Sequence, residues 1–255
     1  MTRVKRYSTV DLRDNAAWKV PRFTATSLEY YMLARDSLEL AAANLVMQKP
    51  GGKLEGAVTS HEGYISCDGL VSYLETEVVE PHHFTFVILA RSPDSFAAAA
   101  NRPGFIGTFN GPSALGSTTS LGAFIIANSA TALTGGSTQW DGSTSGSVSS
   151  NNSAIASGSG IDLTKWNLMS LRQSATQRIL ADHSTAFAPV VYANANPRYP
   201  TTNKVRIGSV FTTYGGLVDV AAAAIFSRSL SDAELAEVLA EIREEAAAYG
   251  IVEGA

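Results

Sequence analysis

The strongest pattern in the chain is Phe84–Arg91, FTFVILAR, where β-branched and aromatic residues run on with one terminal charge. Such a run suits a strand buried on both faces. Shorter β-prone runs predict strands at residues 63–67, 70–79, 105–109, 121–127, 166–172, 177–181 and 189–192, then at Lys204–Ile207 and Leu217–Phe226. Gly, Asn, Ser and Pro clusters separate them. Many short strands broken by turn residues predict an all-β fold, a two-sheet antiparallel jelly-roll sandwich. Asp68-Gly69 reads as a tight hairpin turn. The period changes near the C-terminus. Leu235, Val238, Leu239, Ile242, Ala246 and Tyr249 fall on one helical stripe. Ser231 and Glu234 have the spacing of a capping box, and Gly250 supplies a stop. An amphipathic helix over 231–249 follows, with Glu237, Glu241, Glu244 and Glu245 forming a solvated face.

Two stretches depart from this patterning. Residues 1–37 show no sustained period and are read as a basic arm or docking segment, leaving 38–255 as the jelly-roll domain; the alternative is an extra strand and loop of the same domain. Charge supports the division: residues 1–35 hold seven basic and three acidic residues, a net of +4, while the rest of the chain carries −8. Residues 141–160 are mostly Ser, Gly and Asn and are read as a long exposed loop, the alternative being an ordered surface hairpin in a polar sheet.

Composition narrows the function. The chain has 255 residues, 19 basic and 23 acidic, for a net charge of −4. That balance argues against a dedicated nucleic-acid binder. No apolar run approaches the roughly 18 residues of a membrane span. Arg3, Lys5 and Arg6 are followed by no apolar segment, so no secretory signal is expected. The single cysteine, Cys67, has no partner for an internal disulfide and reads as a small buried hydrophobe. Synthesis in a reducing cytoplasm is the expectation.

No catalytic pattern emerges. Glu75 and Glu77 have the two-residue spacing of strand-borne glycosidase acids, but no third acid continues the series. The histidines His61, His82, His83 and His183 lie in no metal-binding frame, and no nucleophile elbow or phosphate-binding loop is present. The chain is therefore expected not to be an enzyme and to need no cofactor. Asp141, Asn151, Asn194 and Asn196 offer oxygens for calcium, although isolated Asp and Asn in loops are commonly turn residues. Binding chemistry is better supplied. An aromatic face beside planar amides and a carboxylate suits a sugar, whose ring has apolar faces and polar edges. Two loops combine these groups, one with Trp140 and Asp141, the other with Tyr192, Asn194, Asn196 and Tyr199.

The segment KVRIGSVFTTYGGLVDVAAAAIFSRSLSDAELAEVLA, residues 204–240, resembles the closing motif of LamG/concanavalin A-like (laminin G/pentraxin-type) jelly-roll domains. Its matching parts are Arg206-Ile207-Gly208, Gly216-Leu217-Val218-Asp219 and Arg228-Ser229-Leu230-Ser231-Asp232-Ala233-Glu234. Residues 63–79 resemble that family's opening, with Cys67 where it has Phe. Phe84–Arg91 resembles its next strand, and Trp166 a later one. The family hosts many functions, so the fold alone does not select one. The ending Tyr249-Gly250-Ile251 is similar to LamG-like domains of tailed-phage virion proteins. That resemblance implies a non-enzymatic virion surface protein of a tail, fibre or head spike. Its jelly roll would bind host cell-surface carbohydrate, and residues 1–37 would contact other virion proteins. A symmetric homo-oligomer, a trimer, fits such proteins. They are made in the host cytoplasm, with no nucleic-acid partner and no membrane insertion. The alternatives are a structural virion protein without ligand, and a polysaccharide hydrolase with an unrecognised site.

Overall fold

The computed structural model describes residues 26–254 except residues 95, 115–118, 141–147, 156–158 and 211. The strands, in chain order, are β1 (Leu28–Leu33), β2 (Lys53–Glu55), β3 (Thr59–His61), β4 (Tyr64–Asp68), β5 (Tyr73–Val79) and β6 (Phe84–Arg91). Then come β7 (Gly104–Gly107), β8 (Gly111–Pro112), β9 (Thr119–Ser120), β10 (Ala123–Ser129), β11 (Ala132–Trp140) and β12 (Val148–Ile155). The last are β13 (Asn167–Gln173), β14 (Gln177–Asp182), β15 (Val190–Ala193), β16 (Lys204–Ile207) and β17 (Leu217–Phe226). Two α-helices, α1 (Leu38–Ala42) and α2 (Asp232–Ala247), and a 3-10 turn at Ala99–Asn101 complete the elements of the described residues.

The strands form an antiparallel two-sheet sandwich, as the patterning predicts. One sheet runs β15-β14-β13-β6-β17-β4-β3, and the other β12-β11-β10-β7-β16-β5-β2. Between them Phe86, Ile88, Leu171 and Ile225 meet Leu74, Phe105, Ile125 and Val205. Strand β6 is central and buried on both sides because α2 covers its outer face. Val87 and Leu89 point to the helix, where Leu235, Val238, Leu239 and Ile242 pack. The helix starts at the predicted capping box: Ser231 Oγ accepts from Glu234 N at 3.3 Å, and Ser231 N donates to Glu234 Oε2 at 2.9 Å.

Four expectations need correction. First, residues 28–33 are not part of an arm. They form β1, which pairs antiparallel with Ala222–Phe226 of β17, and Tyr30, Tyr31 and Met32 are fully buried. Tyr30 and Met32 enter the inter-sheet core and Tyr31 the layer under α2. A β-bulge at Leu28/Tyr30 blurs this alternation in the sequence. Residues 1–25 lie outside the described residues. Second, α2 does not present all its acids to solvent. Glu241 is buried and accepts from Tyr31 Oη at 3.5 Å, and Glu245 pairs with Arg35 at 3.4 Å. Third, Asp68-Gly69 does not close a hairpin. It carries the chain from β4 in one sheet to β5 in the other. Fourth, the Ser/Gly/Asn stretch is not one loop. Residues 148–155 are β12, paired along their length with β11. Residues 141–147 and 156–158 are outside the described part.

The Arg206-Ile207-Gly208 motif has a packing reason. Gly208 has φ +75°, and a Cβ there would stand 2.4 Å from Cys67 Sγ. Cys67 itself is 1% exposed, and burial followed by nearby Asp219 pushes its thiol up to about 12. It is a packed side chain, not a reactive one.

Candidate functional site

Strand β11 ends beside the loop that follows β15. Trp140 N donates to Pro197 O at 2.9 Å and Tyr199 N to Thr138 O at 3.0 Å, so residues 197–199 run antiparallel to the end of β11. The side chains reinforce this contact. Gln139 Nε2 donates to Asn194 Oδ1, and Asn194 Nδ2 donates to Ser174 O at 3.0 Å. The two predicted segments, more than fifty residues apart in sequence, therefore meet at one end of the sandwich.

Their residues play different parts. Trp140 is 37% exposed at the strand terminus. Asn196 is half-buried, and its amide has no hydrogen-bond partner among the described residues. Tyr192 is half-buried on β15 rather than on a loop, with the Arg178 guanidinium carbon 4.9 Å from its ring centroid. Asn194 spends its amide on Gln139 and Ser174, so it positions the loop. Tyr199 is only 4% exposed and presents no ring to a ligand; its carbonyl accepts from Ser120 Oγ at 2.5 Å. Asp141 lies outside the described residues, as does the side chain of Asn151, which sits within β12. The four calcium candidates thus include a strand residue and an Asn already bonded. Among the described residues no three His, Cys, Asp or Glu side chains group as metal ligands do.

Beneath this surface lies a polar network that sequence reading missed. Glu80, 5% exposed, forms an ion pair with Arg198. Its Oε2 also accepts from Thr108 Oγ1 at 2.5 Å, Thr201 N at 2.9 Å and Thr201 Oγ1 at 2.7 Å. Arg198 Nη1 donates to Thr138 O at 3.0 Å, and its guanidinium carbon stands 5.3 Å from the Phe84 ring centroid. Burial pulls the Arg198 pKa down and Glu80 opposes that pull. Four donors on one carboxylate leave Glu80 no capacity to act as acid or base on a ligand. Its role is to hold residues 198–201 against β11. Nearby, Arg178 Nη1 donates to Ser137 Oγ at 3.0 Å and Ser137 Oγ to Gln173 Oε1 at 2.6 Å, making the inter-sheet space polar at this end. Burial, with Arg198 next, brings Arg178 down to about 10.

The remaining sequence candidates are structural. Glu75 pairs with Arg206 at 3.2 Å and Glu77 with Lys204 at 2.7 Å across β5 and β16. His82 and His83 stack in the loop before β6, ring centroids 5.3 Å apart. His183 Nε2 lies 2.8 Å from Ser170 Oγ. Burial, then Arg243 and Arg172, pushes His183 from 6.5 down to about 4. Between those values the unfolded chain binds a proton that the folded chain does not. Stability should therefore fall as pH drops through that window. His183→Gln should flatten this part of a stability–pH curve from urea melts. A curve unchanged by the substitution would refute the assignment.

No family model matches the chain, and no curated protein matches it in sequence. Solved structures do resemble it in fold. The binding domain of Paraclostridial Mosquitocidal Protein 1 matches at a TM-score of 0.60 and 11% identity, over 86% of this chain and 52% of that one. The binding domain of botulinum neurotoxin DC, in complex with SialylT, matches at 0.58 and 9% identity, over 85% and 52%. Trypanosoma rangeli sialidase in complex with sialic acid matches at 0.54 and 11% identity, over 85% and 33%. The chain thus spans about half the length of these toxin binding domains. The likeness defines the class: an antiparallel β-sandwich of the kind found in toxin binding domains and within a sialidase.

Proposed function

We propose that the chain is a non-catalytic carbohydrate-binding module. The observation that carries this reading is the half-exposed Trp140 ring, fixed at the end of β11 by its backbone bond to Pro197, with Asn196 in the adjoining loop. An aromatic face held by backbone beside an amide suits a sugar's apolar face and polar edge. The toxin binding domains of like fold, one of them complexed with SialylT, support this reading. Its test is a titration with host surface polysaccharide and a glycan array. Trp140→Ala is expected to weaken binding by about tenfold or more, as loss of a Trp anchor does. Unchanged binding would sink the assignment, and release of reducing sugar would replace it with a hydrolase.

The setting we propose is the surface of a virion, in a homo-oligomer, with host glycan as one partner and other virion proteins as the second. The resemblance of the C-terminal motif supports it. With β1 inside the sandwich, the attachment role passes to residues 1–25. Light scattering reads the oligomer, and incorporation of a chain lacking residues 1–25 into particles would refute that attachment.

A further inference from the structure

On the outer face of the α2-bearing sheet, past the helix, pairing brings together side chains the sandwich does not need. Asp219 of β17 lies opposite Ser66 of β4 and Arg91 of β6, and His61 of β3 opposite Tyr64 of β4. Ser66 Oγ donates to Asp219 Oδ1 at 2.6 Å. A hydroxyl has one proton, so at His61 Nε2, 3.0 Å away, Ser66 accepts and the imidazole donates. A serine base would find that proton already held by a carboxylate. This is not a nucleophile–base relay.

The grouping instead orients Arg91. Its Nε donates to Asp219 Oδ2 at 2.9 Å. Its guanidinium carbon lies 4.7 Å from the Trp166 ring centroid and 5.5 Å from that of Tyr64. Trp166 is 5% exposed and serves as the platform. The terminal nitrogens of Arg91 have no hydrogen-bond partner among the described residues, and the side chain is 31% exposed. The Tyr64 hydroxyl and His61 Nδ1 also have none, although the two rings stack at 4.4 Å and both residues are half-exposed. Three side chains are thus held from within while their outward polar ends are left unused.

We propose that this surface binds a sugar bearing a carboxylate. The Arg91 fork takes the carboxylate as a two-pronged pair. The Tyr64 hydroxyl and His61 Nδ1 take ring hydroxyls. The choice of a sugar over another carboxylate rests on the carbohydrate-binding reading above. The place does not, because Arg91 closes β6 at the end opposite Phe84, over which the Arg198 network lies.

The test is a calorimetric and NMR titration of the full chain with glucuronate, N-acetylneuraminate, methyl glucoside and acetate. At least one acidic sugar should bind about tenfold or more tighter than methyl glucoside or acetate, the value of a charged hydrogen bond. Arg91→Lys keeps the charge opposite Asp219 but loses the fork, and should weaken that binding by about tenfold. Tyr64→Phe should weaken it by less, and Trp140→Ala should leave it unchanged. If Arg91→Lys fails to melt like the parent chain, Tyr64→Phe decides. No saturable binding of either acidic sugar overturns the proposal, as does binding that both substitutions leave intact. Acetate binding as tightly overturns the sugar assignment, and loss on Trp140→Ala relocates the site. Failure of the Trp140 reading registers separately, as polysaccharide binding indifferent to Trp140→Ala.

Discussion

Arg198→Ala is expected to destabilise the fold by about 3–5 kcal/mol, because it leaves a carboxylate buried without its cation. Glu80 is at the centre of that cost. It accepts from Arg198, Thr108 and both donors of Thr201, in a place where water does not reach. In a chain of this size the loss lowers the melting temperature by roughly 10 °C. Glu80→Gln with Arg198→Met removes both charges, keeps an acceptor for Thr201 and should recover more than half of the stability. The effect extends to the surface. Arg198 also holds Thr138 O, and residues 197–199 set the position of Trp140. Arg198→Ala should therefore weaken any ligand held by Trp140, even where the chain is folded. Urea melts of the parent chain and the two variants, with Trp fluorescence as a second readout, give the answer. A single substitution that shifts the midpoint no more than a surface change would show the network to be dispensable.

The second large effect concerns where the domain begins. A chain starting at residue 26 keeps β1, whereas one starting at residue 34 loses it. The second should fail to fold. Leu28, Tyr30, Tyr31, Met32 and Leu33 are all buried, and five such side chains are worth about 10 kcal/mol. That equals the whole stability of a typical domain, about 5–15 kcal/mol. Removing β1 also uncovers one edge of β17 from Ala222 to Phe226 and leaves Glu241 buried without Tyr31. Circular dichroism and thermal melts of the two truncations check this. Matching transitions would return β1 to the status of an arm.

The candidate sites are unequally legible in the sequence. Trp140, Tyr192, Asn194 and Asn196 stood out because aromatics next to amides are recognisable locally. Tyr199 carried the same local signature yet faces inward, since residues 197–199 add to the end of β11. Glu80 and Arg198 carried no signature: an acid before Pro81 and a base after Pro197 look like ordinary surface residues until the fold seals them in. The Arg91 grouping was hidden for the same reason, as His61, Tyr64, Arg91 and Asp219 come from four strands.

Local sequence is enough to specify the class of fold, the central strand Phe84–Arg91, the strands Lys204–Ile207 and Leu217–Phe226, and the start of α2. Each depends on residues a few positions apart: an unbroken β-prone run, or a cap satisfied within one turn. Tertiary structure alone decided what depends on register between distant strands. It made Ala132–Trp140 a strand, for which the Gly- and Ser-containing sequence gives no local signal, by pairing it with β10 and β12, and it requires Gly135 where a Cβ would come within 2.8 Å of Leu171 and Leu180. It drew Leu28–Leu33 into the sheet because β17 offered an edge that no local pattern announces. It also buried Glu241, since the face a helix shows to solvent is fixed by what packs against it, here Tyr31. Local periodicity specifies which elements form, while the burial and pairing of their polar groups follow from contacts across the whole chain.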